Sequence, residues 1–419
     1  MYNFDEQIDR HGTGCIKLNG LKDWYGREDL LPMWIADMDF RTPDFITDAL
    51  KRRMEHPVFG YTQIPADYFQ TISDWVRRLH GWETDPEHIR YIPGIVKGIA
   101  MAIDAFLKPG YKVMIQPPVY HPFRIVPEKK GHEVVYCPLL PVYEDGTGRS
   151  EDILDKDRER RLVSYTMDFD RMESLFRNDP AIRLLIFANP HNPVGKCWSR
   201  EELAELAELA ARYGVLVISD EIHAEMALEG HRHIPFASVS PTAASDSITF
   251  MAPSKTFNIA GIVSSYTIVP DDRLREHFFG YLDAGELDSP DIFAPIATAA
   301  AYREGWEWRR EMLDYVGGNI AFTDEWLRSN LPQIRCVRPD ASFLVWLDCR
   351  LLDTDHNRIL DLFVNRAHLA FDDGAKFGSV LPDGTRQGNE GCCFMRMNVG
   401  CPRSVVAKAL VSLENVVKQ

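Results

Sequence analysis

The chain has 419 residues, 45% of them hydrophobic, and this length predicts two domains with enough apolar side chains for a core in each. Its 47 basic and 62 acidic residues give a formal charge of −15, and no basic run is interleaved with aromatic residues, so nucleic acid is not an expected partner. No stretch approaches the roughly eighteen apolar residues of a membrane span, and the N-terminus lacks a signal-peptide pattern.

The cysteines and histidines do not predict a metal site. The eight cysteines contain no C-x-x-C pair and no Cys/His grouping with zinc spacing, so they are interpreted as free thiols. Free thiols are typical of a reducing compartment, and we therefore expect a cytoplasmic protein without a membrane partner. The pair His231 and His233 is too isolated to hold a metal and is assigned to a loop.

The first residues, 1–50, are predicted to form an arm rather than a domain. Within this arm the apolar stretch 31–40 is too short for a core of its own, and we interpret it as a strand that covers another layer. An amphipathic helix is predicted from Asp44 to Glu55. The sequence Phe59-Gly60-Tyr61-Thr62 follows and has the composition of a surface loop.

Alternating strands and helices predict the large domain, residues 51–288. A helix after the N-cap Ser199 ends at Gly214, and apolar runs predict strands on both sides of it. The strands are predicted at 112–116, 183–187, 215–219 and 247–251. This alternation favours a mainly parallel sheet covered by helices.

The remaining residues, 289–419, predict a smaller α+β domain. Helical patterning begins near Pro290, and two strand-like runs follow at 343–347 and 394–399. Arg396 lies in the second run, where an arginine could equally form a surface ion pair. The charged segment between Tyr143 and Tyr165 is interpreted as a solvated excursion and is assigned no chemistry.

Two segments of the large domain have the properties of ligand-binding turns. Gly94 precedes an apolar helix from Ile95 to Phe106, whose first N–H groups and dipole suit a phosphate, although many buried helices begin this way. Three prolines restrict the loop around Tyr120, whose ring could also be an ordinary core side chain.

The strongest functional signal is the segment Pro253–Gly261, which places Lys255 just after the strand 247–251. Ligands bind outside the carboxyl ends of strands in open α/β sheets, so this lysine is expected to face a site. A lysine can form a Schiff base with an aldehyde when burial or neighbouring charge keeps it partly deprotonated. An isolated Ser-Lys pair would be a surface turn.

Two further motifs favour the functional interpretation. The first is Asn189-Pro190-His191-Asn192-Pro193-Val194-Gly195, and the second is Ser219-Asp220-Glu221-Ile222-His223. Asp220 follows a predicted strand, where a carboxylate can hold a protonated ring nitrogen through a charge-assisted hydrogen bond worth about 1.5–3 kcal/mol. Taken alone, Asp220 would be a helix cap or a surface acid.

Together these motifs resemble the fold-type I enzymes that use pyridoxal 5'-phosphate (PLP). More narrowly, the sequence resembles the MalY/PatB-type carbon-sulfur β-lyases, also described as cystathionine β-lyases, from Asn3-Phe4-Asp5-Glu6 to the stretch 396–402. The resemblance implies PLP as cofactor and the α/β fold of fold type I. It also implies a homodimer with shared active sites.

The resemblance assigns roles to individual residues. The implied catalytic residues are Lys255, which binds PLP, Asp220, which keeps the pyridine ring protonated as an electron sink, and Tyr120, which stacks on that ring. Further implied cofactor contacts are Asn192 with the phenolic oxygen, the amides of Ile95 and Val96 with the phosphate, His223, and Tyr61 from the other subunit. The implied substrate-binding residues are Arg396, which forks on the α-carboxylate, and Ile35, Ala36 and Tyr61 at the mouth.

One position departs from the aminotransferase pattern. Many aminotransferases carry a phosphate-binding arginine two residues after the glycine of the lysine segment, and here that position is Val263. Ser254, Thr256 and the helix terminus at Ile95 are the candidates to bind the phosphate instead. This loss favours the lyase group.

The implied activity is cleavage of an S-substituted L-cysteine, such as cystathionine, to a thiol, pyruvate and ammonia. Two alternatives remain at this stage. One is a class I/II aminotransferase acting on a small L-amino acid, which would need the same lysine, aspartate and arginine. The other is a binding or regulatory protein that retains PLP without turnover.

Overall fold

The computed structural model describes residues 1–149, 152–154, 157–381 and 383–419. Its strands are β1 (Leu31–Pro32), β2 (Ile89–Ile92), β3 (Lys112–Ile115), β4 (Val134–Tyr136), β5 (Leu140–Tyr143), β6 (Gly146–Thr147), β7 (Leu162–Thr166), β8 (Ile182–Ala188), β9 (Leu216–Asp220), β10 (Ser247–Met251), β11 (Ser265–Ile268), β12 (Arg335–Val337), β13 (Leu344–Asp348), β14 (Leu369–Ala370), β15 (Asp372–Asp373) and β16 (Phe394–Asn398).

The α-helices lie between and around these strands. They are α1 (Ile16–Asn19), α2 (Leu21–Tyr25), α3 (Asp44–Met54), α4 (Tyr68–His80), α5 (Ile95–Phe106), α6 (Pro122–Lys129), α7 (Phe169–Asn178), α8 (Arg200–Tyr213), α9 (Pro241–Ser245), α10 (Asp272–Ala284), α11 (Ala294–Glu304), α12 (Trp306–Asn330), α13 (His356–Asp361) and α14 (Arg403–Val417).

The main sheet has the strand order β2-β11-β10-β9-β8-β3-β4. The strands from β10 to β4 run parallel, whereas β11 pairs antiparallel with both β10 and β2. The side chains of β10 are buried along its whole length, as expected for a parallel sheet covered on both faces. The four strands predicted in this region are therefore present, with bounds shifted by one residue at most positions.

Two helices show why the covering layer forms where the sequence predicts it. Helix α8 begins with a capping box, in which the Ser199 hydroxyl accepts from the Glu202 N–H and the Glu202 carboxylate accepts from the Ser199 N–H. It ends at Gly214, whose φ of 64° suits a glycine. Helix α5 packs so closely on the sheet that a Cβ at Gly98 would lie 2.7 Å from Ile92 Cγ2.

A second sheet, β12-β13-β16-β15, is antiparallel and lies in the C-terminal part of the chain. Helices α12 and α14 pack against each other beside it. The N-terminal arm joins this part because β1 pairs with β14 in parallel. The smaller α+β unit predicted from the sequence is therefore present.

The predicted strand over 31–40 is mostly wrong, because regular pairing covers only Leu31 and Pro32. Beyond Pro32 the backbone turns toward the carboxyl ends of the main sheet. There the carbonyls of Trp34, Ile35 and Ala36 accept hydrogen bonds from side chains instead of from a neighbouring strand. The arm is thus held by side chains of the rest of the molecule.

The charged segment is also more ordered than a solvated excursion, although Ser150, Glu151, Asp155 and Lys156 lie outside the described residues. Strands β6, β5 and β7 form a small antiparallel sheet. The fully buried Arg350 donates to the carbonyls of Ile153, at 2.6 Å, and Asp157, at 3.3 Å. Residues 144–147 are exposed as expected, whereas Ile153 and Asp157 are buried, because their partner Arg350 is almost two hundred positions away in the sequence.

The predicted division into 1–50, 51–288 and 289–419 remains a prediction. Helix α11 packs against α3 and α4, whereas the long helix α12 packs against β12 and α14. These contacts favour a boundary near the start of α12. Within the described ranges, no helix combines the length and the apolar character that crossing a lipid bilayer requires.

Candidate active site

The predicted site residues follow the carboxyl ends of neighbouring strands in the main sheet. Asn192 lies in the turn after β8, Asp220 is the last residue of β9, and Lys255 lies in the turn after β10. Asp220 pairs with Phe250 in the register of β9 and β10, so these two strand ends are side by side. This edge is where an open α/β sheet binds its ligands.

A cavity of about 120 Å³ opens at this edge. It contains eight of the sequence-predicted residues and four apolar ones that were not predicted. The lining residues are Ala36, Ile95, Val96, Tyr120, Phe123, Ala188, Pro190, Asn192, Asp220, Ile222, His223 and Lys255. The motifs quoted from the sequence therefore meet in one cavity.

Lys255 has the properties of a reactive amine. Its Nζ donates a hydrogen bond to the Ala36 carbonyl at 2.5 Å. Burial lowers the pKa of Lys255 to about 8, and the nearby carboxylate of Asp37 only partly opposes this effect. An appreciable fraction of this amine is therefore uncharged near neutral pH, and the uncharged form is the nucleophile and base.

Asp220 is a buried carboxyl group that also lines the cavity. One of its oxygens accepts a hydrogen bond from the Ile222 N–H at 3.1 Å. Burial raises the pKa of Asp220 to about 7, despite the Ile222 N–H and the Lys255 ammonium, which both lower it. A cationic ligand group placed beside this carboxyl would remove the desolvation penalty on its charged form.

Tyr120 and Asn192 are fixed relative to each other. The Tyr120 N–H donates to the Asn192 carbonyl at 3.1 Å, and the preceding Val119 N–H donates to the Phe377 carbonyl at 2.7 Å. Both side chains line the cavity. The aromatic ring of Tyr120 is thus presented to a ligand by a loop that is anchored in two places.

The helix terminus at Ile95 is an anion-binding feature without an arginine. Gly94 precedes α5 with a φ of 105°, a conformation that favours glycine. The first turn of α5, which includes Ile95 and Val96, faces the cavity with N–H groups that have no acceptor within the helix. Ser254 and Thr256 are buried but do not line the cavity, and Thr256 lies beside Glu225.

His223 lies in the cavity wall as a neutral ring. Burial lowers its pKa to about 3, and the charges of Lys255 and Arg396 add to this effect. Its buried Nδ1 has no hydrogen-bond partner among the described residues. This nitrogen is available to a ligand.

Arg396 reaches the site through Asn192. Its Nη1 donates to the Asn192 side-chain oxygen at 3.0 Å, while Nη2 donates to the Trp34 carbonyl at 3.0 Å and to Asp372 at 2.6 Å. Its buried Nε has no partner in the described part of the chain. Several of the guanidinium N–H groups that were expected to bind the substrate carboxylate therefore already donate to the protein itself.

Besides Ser254 and Arg396, which do not line the cavity, two further predicted residues, Tyr61 and Ile35, are outside it. Tyr61 is fully exposed on a segment that projects from α3. Ile35 contributes a carbonyl that accepts from Asn398 at 2.6 Å, behind the mouth of the site. Neither side chain lines the cavity.

The sequence did not identify Asp372, the carboxylate that contacts Arg396. Its local sequence, Phe371-Asp372-Asp373-Gly374, has the composition of a turn, so no local pattern connects it to an arginine 24 residues away. His233 was also assigned to a loop, whereas the structure buries it with its Nε2 2.7 Å from a Glu221 oxygen. This pair lies behind Asp220 and not in the cavity.

The arrangement combines an amine of lowered pKa, a buried carboxyl group, an aromatic ring, an anion-binding helix terminus and an arginine. Such a set can hold a flat, anionic aromatic cofactor and the carboxylate of a substrate. Lys255 can act on that cofactor as a nucleophile and on the substrate as a base. No other cavity described here contains this combination of groups.

Known proteins were compared with this chain. It is 39% identical over 408 residues to cystathionine β-lyase PatB of Bacillus subtilis, covering 97% of this chain and 98% of PatB. Cystalysin of Treponema denticola, whose structure contains a PLP cofactor, superposes with a TM-score of 0.88 at 29% identity, covering 100% of this chain and 99% of cystalysin. The PLP-bound C-S lyase of Staphylococcus hominis gives a TM-score of 0.87 at 29% identity, with the same coverage.

These similarities confirm the fold of type I and the resemblance on which the sequence interpretation depended. The family described as aminotransferase class I and II matches residues 28–412, which include every motif discussed above except the first residues of the arm. The chain belongs to the aminotransferase class I and II family.

Proposed function

We propose that this protein is a PLP-dependent β-lyase that cleaves cystathionine or other S-substituted L-cysteines. The main observation is that Lys255, with its lowered pKa, and Asp220 share one cavity at adjacent strand ends. Relatives support the choice of reaction, because PatB is named a cystathionine β-lyase and the S. hominis protein a C-S lyase.

The residues present fit PLP. The ring nitrogen would lie at Asp220, a buried carboxyl group that lacks a cationic partner of its own other than Lys255. The phosphate would lie at the first turn of α5, since Val263 cannot supply a charge. Tyr120 would stack on the ring, Asn192 would bind the phenolic oxygen, and the unpartnered His223 Nδ1 is available for a further contact.

Each residue then has a separate task in the reaction. When bound, PLP supplies a protonated ring that accepts the electron pair left on the substrate Cα. Arg396 and Asn192 orient the α-carboxylate, and the Lys255 amine takes the proton from Cα. Asp220 would hold the positive charge of the ring nitrogen.

The overall reaction consumes one S-substituted L-cysteine and one water and yields one thiol, one pyruvate and one ammonia. We expect the purified protein with added PLP to release pyruvate and thiol from L-cystathionine in equal amounts over many turnovers. No 2-oxo acid is added, because a transaminase without an acceptor stops after one half-reaction. Pyruvate is measured with a coupled lactate dehydrogenase assay, and the thiol product is measured with a thiol reagent.

An aminotransferase acting on a small L-amino acid is the second candidate, and the family match supports it. It would release no catalytic pyruvate in this assay, and it would consume the amino acid only after a 2-oxo acid is supplied. A protein that only binds PLP would do neither. Assays with L-cystathionine, first without and then with a 2-oxo acid, therefore distinguish a lyase, an aminotransferase and a protein that only binds PLP.

A homodimer with shared active sites is part of this proposal. The apolar side chains of Met54, Val58, Phe59 and Tyr61 are exposed on one segment of this chain. Exposed apolar surface of this kind is typical of an interface, and a symmetric dimer is the commonest assembly of identical chains. We infer that Tyr61 reaches the phosphate end of the partner's site.

Mixing two inactive variants tests this arrangement. Tyr61→Ala and Lys255→Ala are each expected to be at least tenfold less active, the second far more so. Co-expressed chains should recover about one quarter of wild-type activity, because half of randomly formed dimers contain one site with both residues intact. If Tyr61 acted within its own chain, no mixture could restore activity.

Location in the cytoplasm stays a prediction based on the eight free thiols.

A further inference from the structure

The buried carboxylate of Asp372 is in direct contact with the arginine that the proposed function assigns to the substrate. Asp372 on β15 lies opposite Arg396 on β16 in the register of the small sheet. Its Oδ2 accepts from Arg396 Nη2 at 2.6 Å, and the two side chains are only 8% and 4% exposed. A pair this short and this buried is a permanent part of the site.

This contact limits what Arg396 can offer to a ligand. A guanidinium has five N–H groups, and Nη2 donates both of its own, to Asp372 and to Trp34. Nη1 donates one to Asn192, so the second Nη1 N–H and the Nε N–H remain. These contacts fix the plane of the guanidinium and leave two N–H groups on different edges, so a ligand carboxylate can accept from one edge at a time.

Further ionisable groups surround this pair. Lys376 Nζ lies 3.9 Å from Asp372 Oδ1, so one carboxylate is shared between two cations. The neighbouring His121 is neutral, because burial lowers its pKa to about 4 and the charges of Arg396 and Lys376 add to this. Arg124 is paired with Glu128 at 2.8 Å.

Asp372 is ionised in this setting. Burial raises its pKa, while Arg396 and then Lys376 oppose the rise. The guanidinium cannot lose its proton, so a neutral carboxyl group beside it would leave a buried, unbalanced charge. Arg396 and Lys376 therefore face the ionised Asp372 and also the adjacent carboxylate of Asp373, which acts on both Asp372 and Lys376.

We infer that Asp372 determines substrate specificity by offsetting the positive charge of Arg396 at this end of the site, so that a second substrate carboxylate is disfavoured. This inference rests on the proposed lyase function and names its substrate class. The protein should favour S-substituted cysteines whose substituent is uncharged or zwitterionic, as in cystathionine, over those whose substituent carries a net negative charge. An anionic substituent would meet the Asp372 charge without a free cation to offset it.

The size of this effect follows from Coulomb's law. At the effective dielectric constant of a protein site, two unit charges about 8 Å apart, such as Asp372 and an anionic substituent, change a binding constant by roughly thirtyfold. Removing the Asp372 charge should therefore change the preference between neutral and anionic substituents by tenfold or more. The substitution Asp372→Asn isolates the charge, because the amide oxygen can still accept from Arg396.

The experiment compares S-methyl-L-cysteine with S-carboxymethyl-L-cysteine, which differ by one carboxylate. In Asp372→Asn, the ratio of kcat/KM for the carboxymethyl substrate to that for the methyl substrate should rise at least tenfold over wild type. Asp373→Asn is the matched control. It removes a charge from the adjacent residue, whose carboxylate contacts His356 at 2.8 Å and not Arg396. That variant should change the ratio less than Asp372→Asn does, because its carboxylate does not contact Arg396.

Affinity provides a readout that is independent of turnover. L-norvaline and L-2-aminoadipate have the shapes of the two substrates but no thiolate leaving group, and calorimetry gives their dissociation constants. In Asp372→Asn, the affinity for L-2-aminoadipate relative to that for L-norvaline should rise. An unchanged ratio in a folded Asp372→Asn protein, or an equal change in Asp373→Asn, would overturn the inference. Absence of pyruvate from wild type would instead count against the lyase function and leave this affinity test intact.

Discussion

Replacing Lys255 by alanine is expected to abolish pyruvate release, with turnover falling at least about 1,000-fold. The reason is that one amine performs two tasks, because it binds the cofactor and removes the proton from the substrate. The lining residues of the cavity include one lysine, Lys255, so no second amine of the cavity wall can replace it. The visible absorption band of lysine-bound PLP should disappear together with activity, and both are measured on the same sample.

Lys112→Ala is the matched control for this experiment. Lys112 begins β3 and forms ion pairs with Glu133 at 2.8 Å and Asp179 at 3.0 Å, away from the cavity. Its loss should cost at most about 1 kcal/mol of stability and leave absorption and turnover intact. Retention of the absorption band and turnover by Lys255→Ala would remove this lysine from the proposed role.

The second large effect is expected for Asp220→Asn. The amide can still accept a hydrogen bond from the Ile222 N–H, so the local fold is preserved while the negative charge is lost. A charge-assisted hydrogen bond worth about 1.5–3 kcal/mol corresponds to roughly a 10- to 150-fold weaker hold on a protonated ring nitrogen. Turnover should fall at least about 100-fold, because the ring is also a poorer electron acceptor when it loses its proton.

Two measurements check this prediction separately. Equilibrium dialysis gives the affinity for PLP, and the pyruvate assay at saturating PLP gives the turnover of the loaded protein. Asp179→Asn, on the opposite side of the sheet, provides the same chemical change without a contact to the cavity. Wild-type turnover by Asp220→Asn would show that another group keeps the ring protonated.

Much of the site could be predicted because its residues lie at strand ends in local motifs. The runs that became β8, β9 and β10 are continuous and apolar, and Asn192, Asp220 and Lys255 follow them closely in the sequence. In a parallel sheet, consecutive strand ends meet at one edge, so local patterns were sufficient to bring these residues together. Helix α8 was equally predictable, because its capping box and its terminal glycine are local signals.

Other features depended on pairings that no local pattern encodes. The contact of Asp372 with Arg396 arises from the register of β15 and β16, and the burial of Ile153 and Asp157 in the charged segment accompanies their contacts with Arg350. The carbonyls of Trp34 and Ala36 accept hydrogen bonds from Arg396 and Lys255, which are more than two hundred positions away in the sequence. Turn composition and charge predicted solvent exposure for Asp372 and for the charged segment. Contacts with Arg396 and Arg350, which are distant in the sequence, bury Asp372 and part of that segment instead.

The sequence by itself therefore determined the type of chemistry and the tertiary structure decided its surroundings. Periodicity, caps and motif order report short-range preferences, and these predicted an α/β sheet with a lysine and an aspartate at strand ends. The resemblance of the motifs to fold-type I enzymes supplied PLP and the role of the asparagine. The pKa of Lys255, the occupied fork of Arg396 and the charge balance set by Asp372 are properties of burial and of contacts across the fold. Such properties exist only after the chain has packed, because desolvation and charge pairing depend on neighbours that are remote in sequence.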